Sequence, residues 1–131
     1  MSILIESKEK IESEITKINE FISGFEWMFF EIREMNQSVL RISGMLDELL
    51  PRYLLNIYFD YPHSLMCPLL WEIDKTNQFI QLDFDEGLAR MNTCFNTEIG
   101  NYIFKLKQTN IREESSNIYI AARGLRVEII E

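Results

Sequence analysis

The sequence predicts an α+β domain: an N-terminal amphipathic helix packed on a mainly antiparallel sheet of about seven strands, with a second short helix allowed. Three observations carry this. Ile11, Ile15, Ile18, Ile22 and Phe25 recur at helical spacing and form one narrow apolar stripe. From Phe25 onward the period changes to two, the alternation of a strand with one buried and one solvated face. Finally, no regular strand–helix–strand spacing follows, which argues against a doubly wound parallel sheet.

The helix spans residues 7–23. Glu9, Lys10, Glu12, Glu14, Lys17 and Glu20 fall between the apolar positions and face away from the stripe. Glu6 and Lys10 form an i, i+4 pair in the favourable order. Gly24 is placed to close the helix in the left-handed conformation. A helix of this length cannot bury its stripe alone, so the remaining chain must supply the apolar surface that covers it.

Residues 25–35 read as a strand with Met28, Phe30 and Ile32 inward and Trp27, Phe29, Glu31 and Arg33 outward. Asn36-Gln37 is the turn, and residues 38–45 return with Leu40 and Ile42 inward. A short helical turn is expected over residues 46–51, opened by Asp47-Glu48 and ended by Pro51. Residues 52–61 form the next strand, with Leu55, Ile57 and Phe59 on one face. Pro62 and Pro68 bracket a loop holding His63 and Cys67. Residues 69–74 and 78–84 read as a second hairpin.

In residues 85–99, Leu88, Met91, Phe95 and Ile99 allow a second helix, opposed by Gly87, Asn92, Thr93 and Asn96. Residues 101–109 are a strand, with Tyr102, Phe104 and Leu106 opposite Lys105 and Lys107. A charged loop over 110–116 leads to a last pair, 117–122 and 125–130, expected to turn at Arg123-Gly124. There is no repeat, low-complexity tract or linker, so residues 1–131 are read as one domain.

The net charge is −8 over 131 residues. A surface this negative disfavours direct nucleic-acid binding and docking on anionic membrane. It favours encounter with a basic protein. The N-terminal residues lack the basic region of a signal peptide, and no segment has the ~18 apolar residues of a bilayer span. A cytoplasmic protein is therefore expected. Cys67 and Cys94 stand 27 positions apart in apolar surroundings and read as reduced core residues, though sequence spacing alone leaves a disulfide open.

Catalytic constellations are sparse. His63 is the only histidine, four residues before Cys67, and a Cys-His dyad there is the single enzymatic arrangement the thiols allow. One histidine and two separated cysteines cannot build a structural zinc site. Asp83 and Asp85 share one face of a continuing strand and, with Glu86, form the densest carboxylate group, but the EF-hand pattern is absent. No glycine-rich phosphate loop and no GxSxG occur, and no stretch matches a family motif. No cofactor, no metal and no enzymatic activity are expected.

What remains is the mixing of rings with carboxylates. Trp27 and Phe29 lie on the outward face of the first strand, and Tyr53, Tyr58, Tyr61 and Trp71 are interleaved with Asp60, Glu72 and Asp74. Exposed rings beside carboxylates suit an interface with a basic partner. The sequence thus favours a non-enzymatic protein-binding domain, an inhibitor or immunity-type protein that neutralises a basic partner such as a nuclease toxin. Its candidate contact residues are Trp27, Phe29, Asp60, Glu72, Asp74, Asp83, Asp85 and Glu86. The alternatives are a small dimeric secretion or assembly chaperone, and an enzyme built on the His63/Cys67 loop. Either a monomer or a homodimer is compatible with the sequence.

Overall fold

A computed structural model describes residues 7–47, 49, 52–74, 76, 78–83, 101–108 and 118–130. Helix α1 (Lys8–Ile22) opens at Ser7, whose hydroxyl oxygen accepts the Lys10 N–H at 3.2 Å. It buries Ile11, Ile18 and Ile22 completely or nearly so, as the stripe requires. Two expectations for the helix fail. Gly24 does not take the left-handed conformation; the last turn is tied instead by the Ser23 hydroxyl on the Glu20 carbonyl and by Gly24 N–H on the Phe21 carbonyl. Glu14 does not face solvent but is buried, for a reason given below.

Among the described residues there are nine strands in two antiparallel sheets. They are β1 (Trp27–Met35), β2 (Val39–Met45), β3 (Tyr53–Asp60), β4 (Ser64–Met66), β5 (Leu70–Asp74), β6 (Ile80–Leu82), β7 (Tyr102–Leu106), β8 (Ile118–Ala122) and β9 (Gly124–Ile129). The first sheet has the order β5-β1-β2-β3-β9 and the second β4-β8-β7-β6. The β1–β2 hairpin forms as the sequence predicts. Asn36 Oδ1 accepts the N–H groups of Ser38 and Val39 across its turn.

The strand count exceeds about seven because the extended chain that forms β3 turns a corner and continues as β4, a segment the sequence predicts to be loop. The chain that forms β8 and β9 turns a corner in the same way, so each serves both sheets. β3 passes into β4 through Tyr61, whose φ of 51° lies in the left-handed region. β8 passes into β9 through Arg123, whose N–H donates to the Asp60 carbonyl. Because β3 pairs with β9 and β4 with β8, a two-stranded ribbon runs around the corner from one sheet to the other. The expected hairpin at Arg123-Gly124 is therefore a bend, and the expected loop around His63 contains a short strand. The second expected hairpin also fails: β5 pairs with β1 and β6 with β7.

The inner faces of both sheets and α1 enclose the main core, with Phe30 and Phe59 meeting Phe79 and Phe104. Phe30 stacks on Phe79 with centroids 4.5 Å apart, and Phe59 meets Phe104 edge-on at 5.2 Å. Helix α1 lies between the free edges of the two sheets and satisfies both. Glu14 Oε1 accepts the Val127 N–H of β9 at 3.2 Å, while its other oxygen pairs with Lys17. Asn19 both accepts the Ile80 N–H and donates to the Ile80 carbonyl of β6, at 3.0 and 2.9 Å. The helix thus supplies to each edge the partner that a further strand would have given.

Residues 48, 50 and 51 of the helical turn expected over 46–51 lie outside the described residues, as do the loop over 110–116, Cys94 and the second helix expected over 85–99.

Candidate protein-binding surface

The first sheet turns its outer face away from the core, and there the pairing of β1 with β5 decides what meets what. Trp27 sits opposite Asp74, and Phe29 opposite Glu72. All four side chains lie on the outer face, since Met28, Phe30, Trp71 and Ile73 between them are buried. Two rings and two carboxylates that the sequence placed some 45 positions apart become directly cross-strand neighbours. Trp27 is 54% exposed and Phe29 half-buried. Glu72 and Asp74 are exposed, and neither has an ion-pair partner among the described residues.

Further apolar surface adjoins them. Exposed Leu46 and half-buried Phe25 line, with Gly24, Glu26 and Trp27, a shallow hollow of ≈ 250 Å³. Exposed Leu70 extends the face along β5. Sequence reasoning missed Leu46, Phe25 and Leu70. Leu70 joins this face through the pairing of β5 with β1, which alternation does not report and which the expected 69–74/78–84 hairpin hid.

The carboxylates on the rest of the outer face are engaged by neighbouring side chains. Ser43, Asn56 and Glu128 stand in one cross-strand row, the Ser43 hydroxyl donating to Asn56 Oδ1 and Asn56 Nδ2 to Glu128 Oε1 at 2.8 Å. Tyr53 donates its hydroxyl to Glu31, and the Arg33 guanidinium lies 4.1 Å above the Tyr53 ring. That Glu31 bond, with burial, holds the Tyr53 phenol above its usual value of 10.0. Arg126 covers Tyr58 in the same way at 4.3 Å, and its Nε reaches both carboxylate oxygens of Asp60 at 3.2 Å.

The sequence-predicted contact residues therefore divide. Trp27, Phe29, Glu72 and Asp74 come together. Asp60 lies at the opposite end of the sheet with its charge taken by Arg126, and Trp71 belongs to the core. Asp83 follows β6 in the second sheet, with its N–H on the Ile103 carbonyl. Asp85 and Glu86 lie outside the described residues.

The His63/Cys67 pair gains no chemistry from the fold. His63 is exposed, with Nδ1 3.1 Å from the Ser64 hydroxyl, while the Cys67 thiol donates to the Pro68 carbonyl. No hydrogen bond joins them, and burial pushes the Cys67 thiol up to about 12, away from the thiolate a nucleophile needs. Among the described residues no group of three or more His, Cys, Asp or Glu side chains is placed to hold a metal ion. No helix of the described residues is long and apolar enough to cross a membrane. Comparison with protein-family models, curated proteins and solved structures finds no match to this chain.

Proposed function

We propose that this chain is a non-enzymatic protein-binding domain whose β1/β5 face takes a basic partner, in the manner of an inhibitor or immunity-type protein acting on a target such as a nuclease toxin. The observation that carries the reading is the cross-strand set Trp27–Asp74 and Phe29–Glu72. Rings supply desolvated contact area, and carboxylates without an ion-pair partner among the described residues gain one on binding. A paired carboxylate such as Asp60 would first have to give up Arg126. The net charge of −8 adds steering toward a basic surface.

Affinity capture from a native lysate at low salt, run with the natural chain and with Glu72→Lys/Asp74→Lys in parallel, tests this. The expected outcome is one basic protein held at equal stoichiometry by the natural chain, released by high salt and lost with the variant. The activity of that protein should fall when the natural chain is added back. A partner held equally by both chains would place the interface elsewhere.

The dimeric-chaperone reading is favoured by one observation, the open edge of β5. It is tested by the mass in solution: a chaperone of that kind is a dimer by itself, so a monomer excludes it, whereas the inhibitor reading is compatible with a monomer.

A further inference from the structure

Among the described residues, four strands end the two sheets, and they are not treated alike. Helix α1 satisfies β9 through Glu14 and β6 through Asn19. β4 is only three residues long. β5 runs for five residues, ends its sheet and, among the described residues, has a partner on one side only.

The register with β1 shows which of its main-chain groups are open. Ile32 N–H donates to the Leu69 carbonyl at 2.9 Å, and antiparallel pairs alternate between bonded and non-bonded. The bonded pairs are therefore Ile32/Leu69, Phe30/Trp71 and Met28/Ile73. The N–H and C=O groups of Leu70, Glu72 and Asp74 point away from β1, toward the free edge. The side chains of these same three residues are exposed, while Trp71 and Ile73 between them are 5% and 2% exposed.

We propose that β5 accepts an extended basic segment of a partner protein as an added antiparallel strand. This rests on the basic-partner reading above and specifies how that partner is held. Main-chain bonds to Leu70, Glu72 and Asp74 supply the attachment, and their side chains select the sequence. Residues on the incoming strand directly opposite Asp74, Glu72 and Leu70 fall at i, i+2 and i+4 on the same face. The charges demand a basic residue at i and at i+2, and Leu70 an apolar one at i+4. A second copy of this chain is a poor occupant. Two β5 strands paired about a two-fold axis at Glu72 set Glu72 against Glu72, and moving the axis to Ile73 sets Glu72 against Asp74; moving it to Trp71 sets Asp74 against Pro68, which has no N–H to give. Like charges directly opposite are destabilising, so the edge repels itself while attracting a basic strand.

The probe is a capped heptapeptide, Thr-Lys-Val-Lys-Val-Leu-Thr, titrated into the full chain with amide shifts of residues 70–74 as readout. In the proposed register the N–H groups of its two lysines and its leucine point at β5, and those of its valines point away. Backbone N-methylation of the lysines and leucine should weaken binding about tenfold or more, while methylating the valines leaves it nearly unchanged. Glu72→Lys/Asp74→Lys should weaken the lysine peptide and prefer its glutamate counterpart; both positions are exposed, so folding is not at risk. Equal binding by the two methylated peptides would overturn strand addition and leave a charge-only contact, with the basic-partner reading intact. Absence of binding by the unmodified peptide at millimolar concentration would also overturn it, and the capture experiment would then judge that reading separately.

Discussion

Gly44 shows how little room the core leaves at a single position. It lies on the inner face of β2, and an added Cβ would meet Leu55 Cδ2 at 2.5 Å, Met28 Sδ at 2.8 Å and Phe30 Cε1 at 3.0 Å. Three buried side chains would have to move together, so Gly44→Ala should cost about 1–3 kcal/mol, seen as a lower urea midpoint with an unchanged slope. Cys67 makes a prediction of a different kind. Its thiol is held up to about 12 by burial, against 9.0 for an ordinary cysteine. Below pH 9 the thiol is neutral in both folded and unfolded chains and contributes no pH dependence. Between pH 9 and 12 the unfolded chain releases the proton that the folded chain keeps, so stability falls as pH rises. Cys67→Ala should flatten that alkaline decline in unfolding free energy. The same burial makes native Cys67 alkylate far more slowly at pH 8 than the unfolded chain.

At the scale of elements, α1 does more than bury a stripe. Asn19 stands in for a strand beside Ile80, and its removal leaves both an N–H and a C=O of β6 without a protein partner. Asn19→Ala should therefore cost about 1–3 kcal/mol in chemical denaturation, more than an exposed polar-to-alanine change on the same helix. This role was not legible in the sequence, where Glu14 and Asn19 look like ordinary solvated positions between isoleucines. Periodicity reports which face is apolar, and it correctly gave α1, β1, β2, β3 and β7. It does not report which strand lies beside which. β5 and β6 are separated by a short turn-like segment, which makes a hairpin the local expectation, yet each finds its partner far along the chain in β1 and β7. The corners at Tyr61 and Arg123 were hidden for a related reason. A bend that keeps the ribbon paired interrupts neither the alternation nor the apolar content, and Gly124 after Arg123 mimics a turn.

For the whole molecule, the issue is whether a basic partner responds to the total charge or to where the charge sits. The sequence gives −8 but not its distribution, and the candidate face emerged only once β5 was placed beside β1. The structure sets Asp83 in the second sheet, apart from the open carboxylates Glu72 and Asp74, and leaves Asp60 neutralised by Arg126. Two charge reversals therefore separate the possibilities. Glu72→Lys/Asp74→Lys raises the net charge by four units, and Asp83→Lys/Asp85→Lys/Glu86→Lys raises it by six. Steering by total charge slows association more in the triple variant. Steering by the β1/β5 face slows it more in the double variant, although that chain stays the more acidic of the two. The second outcome is expected, because at about 0.15 M salt screening leaves the carboxylates nearest the contact with the largest share of the steering. Stopped-flow fluorescence with the captured partner measures it, with exposed Trp27 as the reporter. The double variant should also show a flatter dependence of association rate on salt. A slower triple variant with an unaffected double one would move the interface off β5 and toward the acidic run that begins at Asp83.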